Sequence, residues 1–414
     1  MIVRVLGRRA SFWVATAVVA HTLWTSAAPA MTYRLYASEW NLTHTATTAI
    51  FAVFPIVVVA VLILSGDLSD YIGRRATILI GLTSSLLGTA LFAVAPSVLW
   101  VFAGRAFMGL GVGLCAGSAT AAMVEFSAAA QGTRAGSITT VAQAMGIALA
   151  TIVGGALIQY APYPTRLNFW VLFAVLAILF AAAWLLPQTV STKAPGHWQP
   201  KLPTIPEGIR MIFAASAIAA TSGYVIGGLM FSLGAQIAHD LVGSDNALVN
   251  GVAIALFAVA AGVVAVPGKR LTPPGAIIVG GLSAIVGTAL LALSTTRHAL
   301  AIFVAAATAG GIGFGLMYSG GLSLINANAP ADRRGGVLSA LYLAAFATQA
   351  VIVLLLGATA TTWGLGLAGR SRRSRHRRPE RWHHRPRRLD QQTSIPRAGP
   401  SGGGNERSLL VIAD

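Results

Sequence analysis

Charge is what this 414-residue chain has least of. Only 10% of its residues are Asp, Glu, Lys or Arg, against 55% hydrophobic. A soluble domain carries about 25% charged residues, so the chain lacks the polar surface that water demands, and its length does not read as two or three soluble domains. Cysteine is nearly missing. Cys115 stands alone in an apolar run, which excludes a disulfide framework and argues against a Cys-based metal site. No metal and no cofactor is expected. Carboxylates are lacking in the middle of the apolar runs: Asp67, Asp70 and Glu125 sit at their edges. A Gly-rich phosphate loop of the P-loop type is lacking too, which argues against ATP-powered work.

What the chain does have is apolar length. A membrane-spanning helix needs about 20 mainly apolar residues. Eleven stretches qualify, near 11–31, 45–65, 76–95, 98–122, 136–160, 167–187, 211–235, 247–267, 274–294, 299–325 and 336–360. In lipid each must satisfy its own backbone, so helices are expected rather than strands. Arg4, Arg8 and Arg9 before the first stretch could flank a signal peptide, but its length and the many similar runs that follow favour a first span. The net charge of +17 points at first to nucleic acid. Its distribution points to a membrane instead, because outside the last 45 residues the basic groups are scattered in short loops. With the N-terminus in the cytoplasm, thirteen of these basic residues fall inside and three, Arg34, Arg166 and Arg297, fall outside. This positive-inside bias places the chain in the cytoplasmic (inner) membrane with a cytoplasmic N-terminus. Trp24, Tyr33, Tyr36 and Trp40 read as an interfacial aromatic belt.

The longest polar connection, 188–210, is Pro-rich and divides the spans into a first set of six (1–187) and a second set of five (211–367). A repeat supports the division. Residues 109–114 read GLGVGL and 311–316 read GIGFGL; each falls in the fourth span of its half, and each is followed by a polar loop and a basic-plus-Gly step. Small residues there allow close helix contact.

The sharpest local signal is GDLSDYIGRR, residues 66–75. Gly66 permits tight packing, Asp70 accepts from a helix N-terminus or a basic group, Gly73 makes the turn, and Arg74 and Arg75 anchor the next span. The string resembles the G-x-x-x-D-x-x-G-R-[KR] loop of the major facilitator superfamily. The resemblance implies an all-helical bundle of two pseudo-repeated halves, twelve spans by design and about eleven here, with this loop as a conformational latch. Glu125 and Arg134 are expected as latch partners. Arg105, buried in a span, is a functional candidate by its cost alone; with Gly109, Gly111 and Gly113 it resembles a family pattern linked to proton coupling. The alternative is an arginine near the outer face that snorkels. Gly146, Gly154 and Gly155 fit most of a drug-antiporter pattern in span five, with Ala150 and Thr151 replacing a Gly and the Pro; close packing is the alternative. His21, mid-span, is either a proton or substrate group or a packing residue.

Residues 368–414 depart from the pattern. The chain there reads GRSRRSRHRRPERWHHRPRR where a twelfth span is expected, and each central Arg costs about 2.5–3.5 kcal/mol on insertion. A reading-frame shift, a genuine basic tail and a nucleic-acid or lipid-binding arm compete, and disorder is expected in each case. The function implied is secondary active transport by alternating access, with proton-coupled efflux of drugs or metabolites ahead of solute uptake; a non-transporting remnant or sensor is the alternative from another class. The partners implied are lipid, a small-molecule substrate and protons, with no nucleic acid. Few fixed charges in the spans favour a hydrophobic or neutral cargo.

Overall fold

The computed structural model describes residues 5–65, 68–127, 132–188, 205–268, 270–329 and 334–363. The chain divides into Met1–Ala368 and Gly369–Asp414. The Arg-rich tail and its expected disorder lie outside the described residues, as do most of the 188–210 connection and Gly66 of the latch string.

All eleven apolar stretches are helical. The first half holds α1 (Arg8–Ala27), α2 (His44–Ser65), α3 (Arg74–Ala93), α4 (Val98–Phe126), α5 (Gly132–Tyr160) and α6 (Pro164–Trp184). The second holds α7 (Arg210–Gln236), α8 (Ala247–Gly268), α9 (Pro273–Arg297), α10 (Leu300–Asn328) and α11 (Arg334–Trp363). Ten are long and apolar enough to cross a membrane. The exception is α1, which has the length but carries Arg8, Arg9, His21 and several hydroxyl residues. Each helix closes its own backbone hydrogen bonds, as lipid requires. Local chemistry sets several ends. Pro164 and Pro273 open α6 and α9, where a missing N–H costs nothing. Thr272 caps α9 by accepting from the Gly275 amide at 3.2 Å.

The repeat read from the glycines is a repeat of packing. In the first half α4 is central and packs on α1, α2 and α3; in the second α10 packs on α7, α8 and α9. α1 meets α5 as α7 meets α11. The glycine runs explain the match. A Cβ on Gly109 or Gly113 would strike α2 at Phe54, Val57 or Val61, and one on Gly111 would strike α3 at Gly81 and Ser85. Two hundred and two residues on, Gly311 and Gly315 sit against Phe257 and Ala261 of α8, and Gly313 against Ala284 of α9. Without side chains at these positions the backbones approach closely, which is how helices associate where lipid is as apolar as leucine.

The repeat stops at one place. α3 packs against α4 on one side and α6 on the other. Among the described residues α9 has no counterpart of α6. Ile278, Leu282 and Ile285 of α9 are 63, 61 and 68% exposed.

The halves meet along two helix pairs, α5 with α8 and α2 with α11. Gly155 of α5 lies against the Ala247 carbonyl of α8, 2.6 Å from where its Cβ would be. Gly251 of α8 lies against the Thr151 carbonyl, and Gly357 of α11 against Thr48 of α2.

Candidate functional site

α1 begins at what is here termed the near end of the bundle and finishes at the far end; odd-numbered helices run near to far and even-numbered ones return. Between the halves lies a cavity of about 660 Å³. Its far end is closed by polar contacts that cross from half to half. Arg34, after α1, donates to His239 Nε2, after α7, at 2.5 Å. His44 Nδ1 is 3.3 Å from Gln236 Oε1. The Thr45 hydroxyl of α2 is 2.8 Å from the Thr361 hydroxyl of α11, and the Ala247 amide of α8 donates to Gln159 Oε1 of α5 at 2.8 Å. Towards the near end the lining continues to Gly268, Leu271 and Pro273 at the α8–α9 turn and to Ser323 late in α10.

The second half supplies an aromatic wall. Tyr224 meets Phe314, Tyr318 and Phe346 edge to face at 5.8, 5.8 and 4.8 Å between ring centres. Phe314 and Tyr318 lie parallel at 5.8 Å. Phe257 extends the array to Phe231. Such offset and edge contacts are the favoured geometries of aromatic pairs. Tyr318 and Tyr342 share a hydrogen bond of 2.9 Å between hydroxyls, and Gln349 donates to the Tyr224 carbonyl at 2.6 Å. The first half contributes Ser26, Phe51, Phe54, Val112 and Gln143. Val112 and Phe314 occupy equivalent places in the two glycine runs, so the same packing that closes α4 and α10 on their neighbours aims these two side chains inward. Among the described residues the lining holds no Asp, Glu, Lys, Arg or His.

Arg105 stands behind the first-half wall, fully buried. Its guanidinium donates to the Ser26 carbonyl at 3.1 Å and the Phe51 carbonyl at 3.5 Å. It lies over the Phe54 ring at 4.5 Å and the Phe51 ring at 5.7 Å, the geometry of a cation–π contact. The snorkelling alternative is therefore set aside. Two of the Arg105 donors thus reach carbonyls of residues that line the cavity, while its Nε has no hydrogen-bond partner among the described residues.

The other sequence-derived candidates fall in several places. His21 is buried with Nδ1 on the Val18 carbonyl at 2.5 Å and Nε2 3.5 Å from Ser85 Oγ; it is not among the cavity-lining residues. Gly146 packs α5 on the Ala20 carbonyl of α1, and Gly154 faces Asn168 and Met31. Gly146 and Gly155 thus sit at close backbone approaches, whereas a Cβ on Gly154 would meet only ordinary contacts. Gly73, at φ 93°, turns the chain into α3, a conformation that favours glycine. Arg74 pairs with Glu125 at 3.1 Å and donates to Ser69. Glu125 thus has Arg74 as a partner; the side chains of Asp70 and Arg134 lie outside the described residues. Arg75 lies over the Trp184 ring at 5.7 Å. The aromatic belt read near 24–40 is corrected for its tyrosines. Tyr33 and Tyr36 are 1 and 2% exposed, and Tyr36 stacks on Trp40 at 4.8 Å beside Phe92. Both are buried residues of the short helix Tyr33–Glu39.

Sequence reasoning missed the aromatic wall and the far-end contacts. Gln143 and Gln349 carried a signal, being uncharged polar residues inside apolar spans; so did Phe314, the one aromatic residue in its glycine run.

Three solved structures show the same fold. A bacterial homologue of the human lysosomal transporter Spinster, inward-facing and unoccupied, aligns with TM-score 0.67 at 15% identity over 86% of this chain and 83% of that one. A POT family transporter in complex with 5-aminolevulinic acid gives 0.70 at 15% identity, covering 86% and 91%. A D-xylose–proton symporter gives 0.64 at 14%, covering 84% and 89%. No curated protein matches by sequence. The family model described as Major Facilitator Superfamily matches residues 13–369. With two repeated helical halves around a central cavity, this chain belongs to the Major Facilitator Superfamily and is a membrane transporter rather than an enzyme.

Proposed function

We propose that the chain carries an uncharged, aromatic or lipophilic small molecule across the cytoplasmic membrane by alternating access, in the efflux direction and in exchange for protons. One observation carries the reading: a cavity between the halves, walled by aromatic rings, without a fixed charge in its described lining and closed at one end. An ionic cargo would lose its hydration there without a counter-charge, at a cost of several kcal/mol. A flat apolar cargo gains ring contacts with Phe314, Tyr318 and Tyr224, and the amides of Gln143 and Gln349 offer directional hydrogen bonds. The positive-inside bias puts the near end in the cytoplasm, so the cavity takes its cargo from inside. The cargoes named for the solved structures, 5-aminolevulinic acid and D-xylose, belong to those proteins.

The latch belongs to the same reading. Gly73, Arg74 and Glu125 hold the near end of the first half, and Asp70 completes the loop. The experiment is flux of uncharged fluorescent aromatic compounds in proteoliposomes under a pH gradient. Phe314→Ala is expected to weaken half-saturation about tenfold, the value of about 1.4 kcal/mol of lost ring contact. Asp70→Asn is expected to slow turnover while leaving half-saturation in place. Unchanged turnover in Asp70→Asn would remove the latch; flux of anions in place of neutral compounds would remove the cargo assignment.

A further inference from the structure

The far-end closure contains a chemical conflict. His239 is the central residue of the distorted turn Ile237–Leu241 after α7. Its Nδ1 is 2.7 Å from Asp240 Oδ1. Its Nε2 faces two groups at once, the Arg34 guanidinium at 2.5 Å and Asp245 Oδ1 at 3.1 Å. These two ask opposite things of one atom. Arg34 has only donors, so it needs the Nε2 lone pair. Asp245 has only acceptors when ionised, so it needs a proton on Nε2. Arg34 belongs to the first half, and Asp245 and Asp240 to the second.

We propose that His239 is a proton-binding site that opens the far end of the transporter. With the imidazole neutral and its proton on Nδ1, Nδ1–H donates to Asp240 and Nε2 accepts from Arg34; the halves are tied. When Nε2 takes a proton from water on that side, the lone pair is consumed. Nε2–H then donates to Asp245, the imidazolium repels the guanidinium, and the cross-half bond breaks. No other bond changes. The proton has exchanged an interaction between halves for one within the second half, so protonation favours the far-open state.

The surroundings leave the choice to these groups. The turn is seated through Ile237, Ala238 and Val242 on Leu291 of α9 and Phe303 of α10. At this end α9 brings Arg297 and His298, and α10 brings no ionisable side chain. Across the gap stand Arg34, the exposed Glu39 of the same short helix, and His44, which is engaged with Gln236. Asp240 is 44% and Asp245 93% exposed at the side chain, so water reaches the site directly.

The site rests on the alternating-access reading, but its test needs no cargo. Spin labels at Ser38→Cys and Thr362→Cys, on exposed residues of opposite halves at the far end, report the gap in the full chain, with Cys115→Ala as background. Lipid-reconstituted protein is measured at about pH 8 and about pH 5.5. The expected result is a short distance at the higher pH and a longer population at the lower. His239→Gln retains an acceptor without a titrating ring and is expected to hold the short distance at both. Asp245→Ala, a change at a highly exposed residue, is expected to move the transition to lower pH because the protonated form loses its acceptor. A wild-type distance that ignores pH, or a pH response surviving intact in His239→Gln, overturns the proton site. Loss of transport with the distance response intact would instead count against the transport reading.

Discussion

Single residues decide how closely this bundle closes. Gly311 packs with its Cα against the Phe257 carbonyl, and Gly313 lies where a Cβ would be 2.8 Å from the Ala284 Cβ. No rotamer relieves such a clash, because the obstacle is backbone. Gly311→Val is therefore expected to push α10 off α8 at a cost of about 3 kcal/mol, read as a lower melting temperature and a smaller monodisperse fraction in detergent. The same change at Gly117, which has open space around its missing Cβ, is the control and is expected to leave both unchanged. These glycines were legible in the sequence because they recur at a fixed offset. Phe314 was within sight for the same reason, since it sits where Val112 sits in the first half. The tyrosines were not. Tyr33 and Tyr36 carry the amphipathic signature of an interfacial belt, and only tertiary packing, for Tyr36 against Trp40 and Phe92, buries them. His239 and Arg34 are 205 residues apart, and nothing local in either segment announces the other.

Helices meet at two places across the halves, and these pairs set how the protein can move. α5 and α8 touch through Gly155 and Gly251, α2 and α11 through Thr48 and Gly357. Contacts between small residues let one helix slide or tilt on its neighbour without prying apart interlocked side chains. At the far end the Thr45 hydroxyl lies 2.8 Å from that of Thr361, close enough for cysteines to form a disulfide with little backbone movement. The pair Thr45→Cys and Thr361→Cys, in the Cys115→Ala background, is expected to cross-link under mild oxidation and to stop transport, with recovery on reduction. Undiminished flux in the cross-linked protein would mean that the far end does not open in the cycle. The existence and order of the helices could be read from hydropathy alone, since lipid leaves a span few options. Which helices pair across the halves could not, because both sides of each interface are apolar and no charge pattern selects among them.

At the largest scale the described residues form two copies of one packing scheme, and among them α9 lacks the second neighbour that α3 has in α6. The sequence hinted at this through the Arg-rich run after α11, and residues 364–414 lie outside the described residues. Reading the coding DNA in the other frames tests the frame-shift alternative: about 20 apolar codons in one frame would encode a twelfth span. What the sequence carried least of is the site itself, since a cavity is made by faces of many helices and its chemistry lies in what they jointly exclude. The central claim is that this cavity carries uncharged aromatic cargo and opens alternately at its two ends. The most direct measurement is counterflow of a labelled neutral aromatic compound in proteoliposomes containing wild-type protein or Phe314→Ala. The expected result is saturable counterflow that an excess of unlabelled neutral compound suppresses and that Phe314→Ala shifts to about tenfold higher concentration. Counterflow that is unchanged in Phe314→Ala, or none across a panel of neutral aromatics, would contradict it.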